Sequence, residues 1–263
     1  MLNTKYEFRQ VQNKSVLREV LGREPVSSAY LLGDLDEPFF GQCRWFVGFY
    51  RSMPLAVVVV FEGLSVHAVL TYGAPDMVEG VLKRFADVLP KVCYAKFPLE
   101  HKQVFLRHYG NVSVETMWNM GLSQDKFTPL KSELDIRRLT SRDPLESILK
   151  VYDHYPDHFF EPCQLETGVY FGLFFEEQLM SISGTHVYAP REGIAVLGNI
   201  VTHKEYRNRG YSHVCTAKLL KYLFEHGCGV ISLQVGAENL TAIACYRHLG
   251  FKYYSTVLQA RCA

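Results

Sequence analysis

Residues 203–212 read HKEYRNRGYS. They follow the apolar run GIAVLGNIV, which has the character of a strand, and lead into YSHVCTAKLLKYLFEHG, whose apolar spacing is helical. In a strand-to-helix connection of this kind the backbone N–H groups of Asn208, Arg209, Gly210, Tyr211, Ser212 and His213 point into one concave turn. The unpaired donors and partial positive charge of the helix start lie beside them. Such a turn holds phosphate. Gly210 lets the backbone approach a ligand with no side chain between, and Arg207 and Arg209 add positive charge. The stretch lacks the lysine and spacing of a Walker loop and the three glycines of a dinucleotide fingerprint, so neither nucleoside triphosphates nor nicotinamide cofactors are indicated. Taken alone, a basic turn with one glycine also suits a solvated surface loop, and its surroundings must decide.

A second signal lies downstream, in ENLTAIACYRHLGF (238–251). Asn239 suits a helix N-cap, and Asn239, Ala242 and Tyr246 recur at i, i+3 and i+7, which places them on one helical face. Gly250 supplies a C-terminal stop with Phe251 as its apolar contact. A well-capped core helix with a buried tyrosine would show the same pattern.

The remaining composition narrows the classes of protein. At 263 residues, 48% of them hydrophobic, the chain builds a core without disulfides or metals, and 28 basic against 27 acidic residues leave a net charge of +1. No global field draws it to nucleic acid. The seven cysteines are scattered, with no C-x-x-C pair to suggest zinc, and a reducing cytoplasm is the expected home. The N-terminus has no apolar leader, and PLAVVVVF is too short to cross a bilayer, so no membrane role is expected.

The polar stretch SQDKFTPLKS (123–132) divides the chain into near-equal halves. The expected division is a domain at 1–122, a linker at 123–133 and a domain at 134–263. In the first half WFVGFY, PLAVVVVF and SVHAVLTY read as strands, DMVEGVLKRFADVL as a helix, KVCYAKF as a strand, EHKQVFLRHYG as a helix and VSVETMWNM as a strand. The second half opens with LDIRRL as a strand. The helix DPLESILKVYDHY follows, with Asp143 as cap, Pro144 at its first position and Glu146 three residues after the cap. Strands at GVYFGLFF, LMSISGTHVY and GIAVLGNIV precede the main helix, and a strand, a helix and a closing strand pair come after it. The fold class is therefore mixed α+β, with a similar order of elements in the two halves.

Taken together, Arg207-x-x-Gly210-x-Ser212, a helix, a strand, and then Asn239-x-x-Ala242-x-x-x-Tyr246-x-x-x-Gly250-Phe251 resemble the GNAT superfamily of acyl-CoA-dependent N-acyltransferases. The resemblance runs from about Leu134 to the C-terminus. It implies a GNAT fold there, with the first motif around the pyrophosphate of coenzyme A and the second placing Asn239 and Tyr246 beside the pantetheine arm and sulfur. Two positions depart from the family pattern: Ser212 replaces glycine or alanine, and His203 stands where proline is frequent. The first half has no counterpart of the Gly210 loop, and its TYGAPDMV connection lacks the arginine and second small residue. It looks like a degenerate copy, as in tandem GNAT proteins and the FR47-like and glycine N-acyltransferase-like members. An unrelated α+β domain is the alternative.

Acyl transfer to an amine requires stabilisation of an oxyanion, removal of a proton from the ammonium, and protonation of the departing thiolate. Gly198 interrupts an apolar strand and suggests a bulge or splay. That would free N–H groups around Ile200, Val201 and Thr202 for the thioester carbonyl and the pantetheine amides. Tyr246 matches the family's general acid by position. The general base is missing, because Val196 stands where some relatives carry glutamate. His158, Glu161 and Glu166, in YPDHFFEPCQLE, are the candidates, with water-mediated deprotonation as the other route. The expected donor is acetyl-CoA, the acceptor is a small or amino-acid-like amine, and no metal is required. A homodimer, and a non-catalytic tandem module that binds acyl-CoA or a protein partner, stay open.

Overall fold

The computed structural model describes residues 5–262 except Asn111, His154, Pro156, Asp157 and Phe159. The chain forms two compact units, residues 1–119 with 254–263, and residues 120–253. Among the described residues no helix is long and apolar enough to cross a membrane.

The first unit runs β1 (Tyr6–Gln10), α1 (Lys14–Leu21), α2 (Ala29–Gly33), β2 (Cys43–Tyr50), β3 (Met53–Phe61), β4 (Ala68–Gly73), α3 (Pro75–Arg84), β5 (Cys93–Pro98) and α4 (Lys102–Tyr109), and β6 (Val114–Ser123) then leads into the second unit. Strands β1 to β5 lie in sequence order, antiparallel except for the parallel pair β4–β5. The run of four valines at 57–60 is wholly buried because helices cover both faces of the sheet. Val58 and Val60 pack with Phe46, Met77, Val81 and Phe105 on the α3 and α4 side. On the other side α1 lies against β3 with Leu17, Val20 and Leu21 buried.

The second unit runs β7 (Asp135–Leu139), α5 (Leu145–Tyr152), α6 (Gln164–Thr167), β8 (Tyr170–Phe175), β9 (Gln178–Ala189), β10 (Ile194–Thr202), α7 (Tyr211–Glu225), β11 (Val230–Gly236) and α8 (Leu240–His248), and β12 (Lys252–Cys262) then closes the chain. Strands β7 to β10 form an antiparallel meander, and β11 joins β10 in parallel. Tyr152, Phe160, Leu165, Tyr170, Ile182 and Val201 form a core on one face, while α7 covers β8, β9 and β10. The two halves of the sequence repeat each other element for element: strand, two helices, three-stranded meander, helix, parallel strand, helix, strand.

Two expectations shift. The division does not fall at 122 and 134, because Val257–Cys262 of β12 pairs antiparallel with Pro98–Cys93 of β5 and so belongs to the first unit. The polar stretch is also anchored at Phe127: Gln124–Lys126 forms an exposed 3-10 turn, and the Phe127 ring lies 5.3 Å from that of Phe224 on α7. Polar composition hides this anchoring because one aromatic suffices for it. In addition, α5 begins at Leu145, and the Asp143 carboxylate accepts from the N–H (2.7 Å) and hydroxyl (3.0 Å) of Thr140, which caps the preceding turn rather than the helix.

Candidate functional site

The loop between β10 and α7 has the shape that the sequence leads one to expect. Gly210 sits at the N-cap of α7 with φ 77°, a left-handed conformation that favours glycine, and a Cβ there would project into open space. Asn208 is left-handed too, at φ 62°. No side chain caps α7 and no acidic residue occupies its first turn, so the donors of Tyr211, Ser212 and His213 lie at an uncapped, positive helix end. Arg207, Asn208, Arg209 and Gly210 are exposed. Arg207 donates to the carbonyl of Thr202 (3.1 Å), tying the loop back to the strand. His203 takes φ −52° and ψ 135°, values that proline also adopts, which explains the exchange at that position.

Helix α8 meets this loop. The Cys245 sulfur lies 3.9 Å from Nδ1 of His213, and burial holds the His213 imidazole below its usual range. Asn239 caps α8, its Oδ1 accepting from the N–H of Ala242 (3.1 Å). Tyr246 is buried, and the N–H of Phe251 donates to its carbonyl (3.0 Å) as the chain turns at Gly250. Among the described residues nothing hydrogen-bonds the Tyr246 hydroxyl. Burial, then Cys245 and Tyr155, push it well above the ordinary phenol range.

Strand β10 carries the remaining geometry. Its parallel register with β11 runs from Ile194↔Val230 to Leu197↔Leu233, while β10 itself continues to Thr202. On the β9 side Gly198 faces Gly184 and Val201 faces Ile182, so Asn199 and Ile200 together oppose Ser183 in a bulge, with Asn199 at φ 53°. Gly198 is needed because the His186 ring occupies the place of a Cβ, and facing it Gly184 makes way for the Tyr170 ring.

The bulge is held by side chains that the sequence reading did not single out. Asn199 Nδ2 donates to the Tyr170 hydroxyl (2.8 Å) and to Gln164 Oε1 (2.9 Å), and the Asn199 carbonyl accepts from the Tyr152 hydroxyl (2.7 Å). Nε2 of His186 lies 3.2 Å from Asn199 Oδ1, a contact that fits a donated proton on that nitrogen. Asn199 Nδ2 faces two acceptors, which fixes the orientation of the amide. The one cue in the sequence is the pair Gly198-Asn199, a turn-forming dipeptide inside an apolar strand.

The three base candidates fare differently. Nδ1 of His158 accepts from the N–H of Phe160 (3.2 Å) and its ring lies against Tyr152 (4.9 Å), so its proton sits on Nε2 and that nitrogen has no lone pair to offer. Glu161 and Glu166 are exposed, and from the α6 region it is Gln164 that reaches the bulge.

The first unit carries the same strand splay in a closed form. The β4–β5 register ends at Leu70↔Lys96, and His101, which is fully buried, bridges the continuation. It accepts from the Thr71 hydroxyl at Nδ1 (2.7 Å) and donates from Nε2 to the carbonyl of Gly73 (2.8 Å). Helix α3 starts with Pro75 and has Asp76 in its first turn, an acidic group where the second unit has none.

Residues 134–251 match the family model described as Acetyltransferase (GNAT) family. No protein of curated function matches the sequence. Among solved structures, a Drosophila protein superposes with TM-score 0.72 at 15% identity, covering 97% of this chain and 98% of that one. A GCN5-related N-acetyltransferase from Kribbella flavida gives TM-score 0.62 at 14% identity over 90% and 94% of the two chains. A tandem GNAT protein from the clavulanic acid biosynthesis pathway gives 0.57 at 12% identity over 98% and 99%. Residues 134–251 are thus a GNAT acetyltransferase domain, and the likeness across the whole chain gives the first unit the same fold.

Proposed function

We propose that the second unit transfers an acetyl group from acetyl-CoA to the primary amine of a small or amino-acid-like acceptor, and that the first unit takes no coenzyme. The observation that carries this reading is the strand–loop–helix unit at residues 194–213, where a strand parts from its parallel neighbour after Leu197 and leads into an uncapped helix start opened by Gly210. A pyrophosphate suits the loop of Asn208, Arg209, Gly210, Tyr211, Ser212 and His213, with Arg207 and Arg209 supplying charge. The pantetheine arm would run along Ile200, Val201 and Thr202, with Asn239 at its flank.

In this scheme the amine lone pair attacks the thioester carbonyl. N–H groups at the bulge stabilise the resulting oxyanion, and a bulge whose residues are already held by Asn199 needs no reorganisation as charge develops. Collapse breaks the C–S bond, and the Tyr246 hydroxyl protonates the leaving thiolate. The network around Asn199 holds no carboxylate, and the ammonium proton is assigned to water. Coenzyme A thiol release from acetyl-CoA, measured against a panel of amines, amino acids and peptides, tests this directly. Amine-dependent release above the hydrolysis background is expected, and its absence with every acceptor, alongside no binding of acetyl-CoA, would refute the proposal.

A further inference from the structure

Cys93 opens β5 and Cys262 closes β12, and in the antiparallel ladder between these strands the two residues stand directly opposite each other. Both belong to the first unit, and both are buried and reduced. Opposed antiparallel residues have Cα atoms ~4.5–5.5 Å apart, within the ~4.4–6.8 Å that a disulfide spans. The neighbouring Cys93 holds the Cys262 thiol below its ordinary range, whereas Cys262 and burial push Cys93 up. Two reduced thiols directly opposed in a ladder, at a separation that a disulfide spans, form the arrangement from which a cross-strand disulfide closes without backbone movement. Other cysteines are differently engaged: Cys215 and Cys228 donate to the carbonyls of Phe171 and Ile194, and Cys163 lies on the surface.

We propose that Cys93 and Cys262 form a reversible disulfide under peroxide, locking the last strand onto the first unit. The Cys262 thiolate attacks one oxygen of hydrogen peroxide, the O–O bond breaks, and hydroxide leaves and is protonated to water, giving a sulfenic acid. The Cys93 sulfur then attacks the sulfenic sulfur, the S–O bond breaks, and a second water departs. Two thiols lose two hydrogens and two electrons, and the peroxide is reduced to two waters. Both cysteines sit at strand ends, where a ladder opens most readily and a small oxidant gains access. The lock matters because β12 is the segment by which the chain returns to the first unit after completing the second.

The test is peroxide treatment of the full chain, alkylation of remaining thiols under denaturing conditions, and mass spectrometry of the digest. Two of the seven thiols are expected to disappear into a Cys93–Cys262 cross-link that dithiothreitol reverses, with a higher melting temperature in the oxidised form. Cys93→Ser and Cys262→Ser should each lose the cross-link and the rise in melting temperature on peroxide treatment. Retention of all seven thiols at peroxide levels that oxidise free glutathione would overturn the proposal. So would a cross-link between other cysteines, or a cross-link that persists in either serine variant.

Discussion

The Tyr246 hydroxyl, raised above the ordinary phenol range chiefly by burial, stays protonated through neutral pH and is available to a thiolate. Tyr246→Phe keeps the ring and its edge contact with Phe251 (6.0 Å). Turnover should therefore fall by about 10²–10⁴-fold, the usual worth of a general acid, while acetyl-CoA affinity and melting temperature hold. Unchanged turnover where chemistry is rate-limiting would remove Tyr246 from the mechanism. Asp34 in the first unit makes a prediction about stability. It is buried, and desolvation raises its carboxyl from 3.8 to about 7. The folded state then binds more protons than the unfolded one, so stability falls as pH rises from about 4 to about 7, by up to about 4 kcal/mol. Asp34→Asn should flatten that dependence, and melting curves of both proteins at about pH 5 and about pH 8 will show it. Equal slopes in the two would exclude Asp34 as their source.

Elements decide whether the site is open. Helix α7 starts at a left-handed Gly210 facing open space. Asparagine tolerates that conformation better than other side chains do, so Gly210→Asn should fold normally yet weaken acetyl-CoA binding at least about tenfold, about 1.4 kcal/mol, by filling the approach. Calorimetry that finds equal affinity in the folded variant would show that the ligand does not come over Gly210. The bulge in β10 is tested by Asn199→Gly, which keeps positive φ and deletes the side chain held by Gln164 and Tyr170 and touched by His186. If the bulge receives the thioester carbonyl, calorimetry should find acetyl-CoA binding weakened in the variant and coenzyme A binding unchanged. The loop, α8 and its Asn239 cap were legible because each rests on local chemistry: glycine before a helix, asparagine at a cap, and residues spaced at i, i+3 and i+7 on one helical face. The lock on Asn199 was not, because its partners come from residues 152, 164, 170 and 186, which only the folded meander gathers. Asp143 misled because one carboxylate can cap either of two adjacent turns, and the choice rests on Thr140.

At the scale of the whole molecule, two copies of one element order have different fates. The first unit fills its strand splay with His101 and starts α3 at a proline with an acidic neighbour, whereas the second leaves β10 splayed and α7 uncapped. The absence of an arginine–glycine loop in TYGAPDMV foretold the difference, but the His101 bridge did not show, since a histidine after a strand has no periodicity. Where the chain divides was equally hidden: Tyr254–Ala263 belongs to the first unit through its pairing with β5, and strand partners distant in sequence leave no local trace. The most direct test is hydrogen–deuterium exchange of the full chain with and without acetyl-CoA. Protection should appear at residues 199–202 and 207–213 and be absent at residues 71–77; protection at 71–77, or none at the β10–α7 connection under saturating acetyl-CoA, would contradict the assignment of the coenzyme site to the second unit.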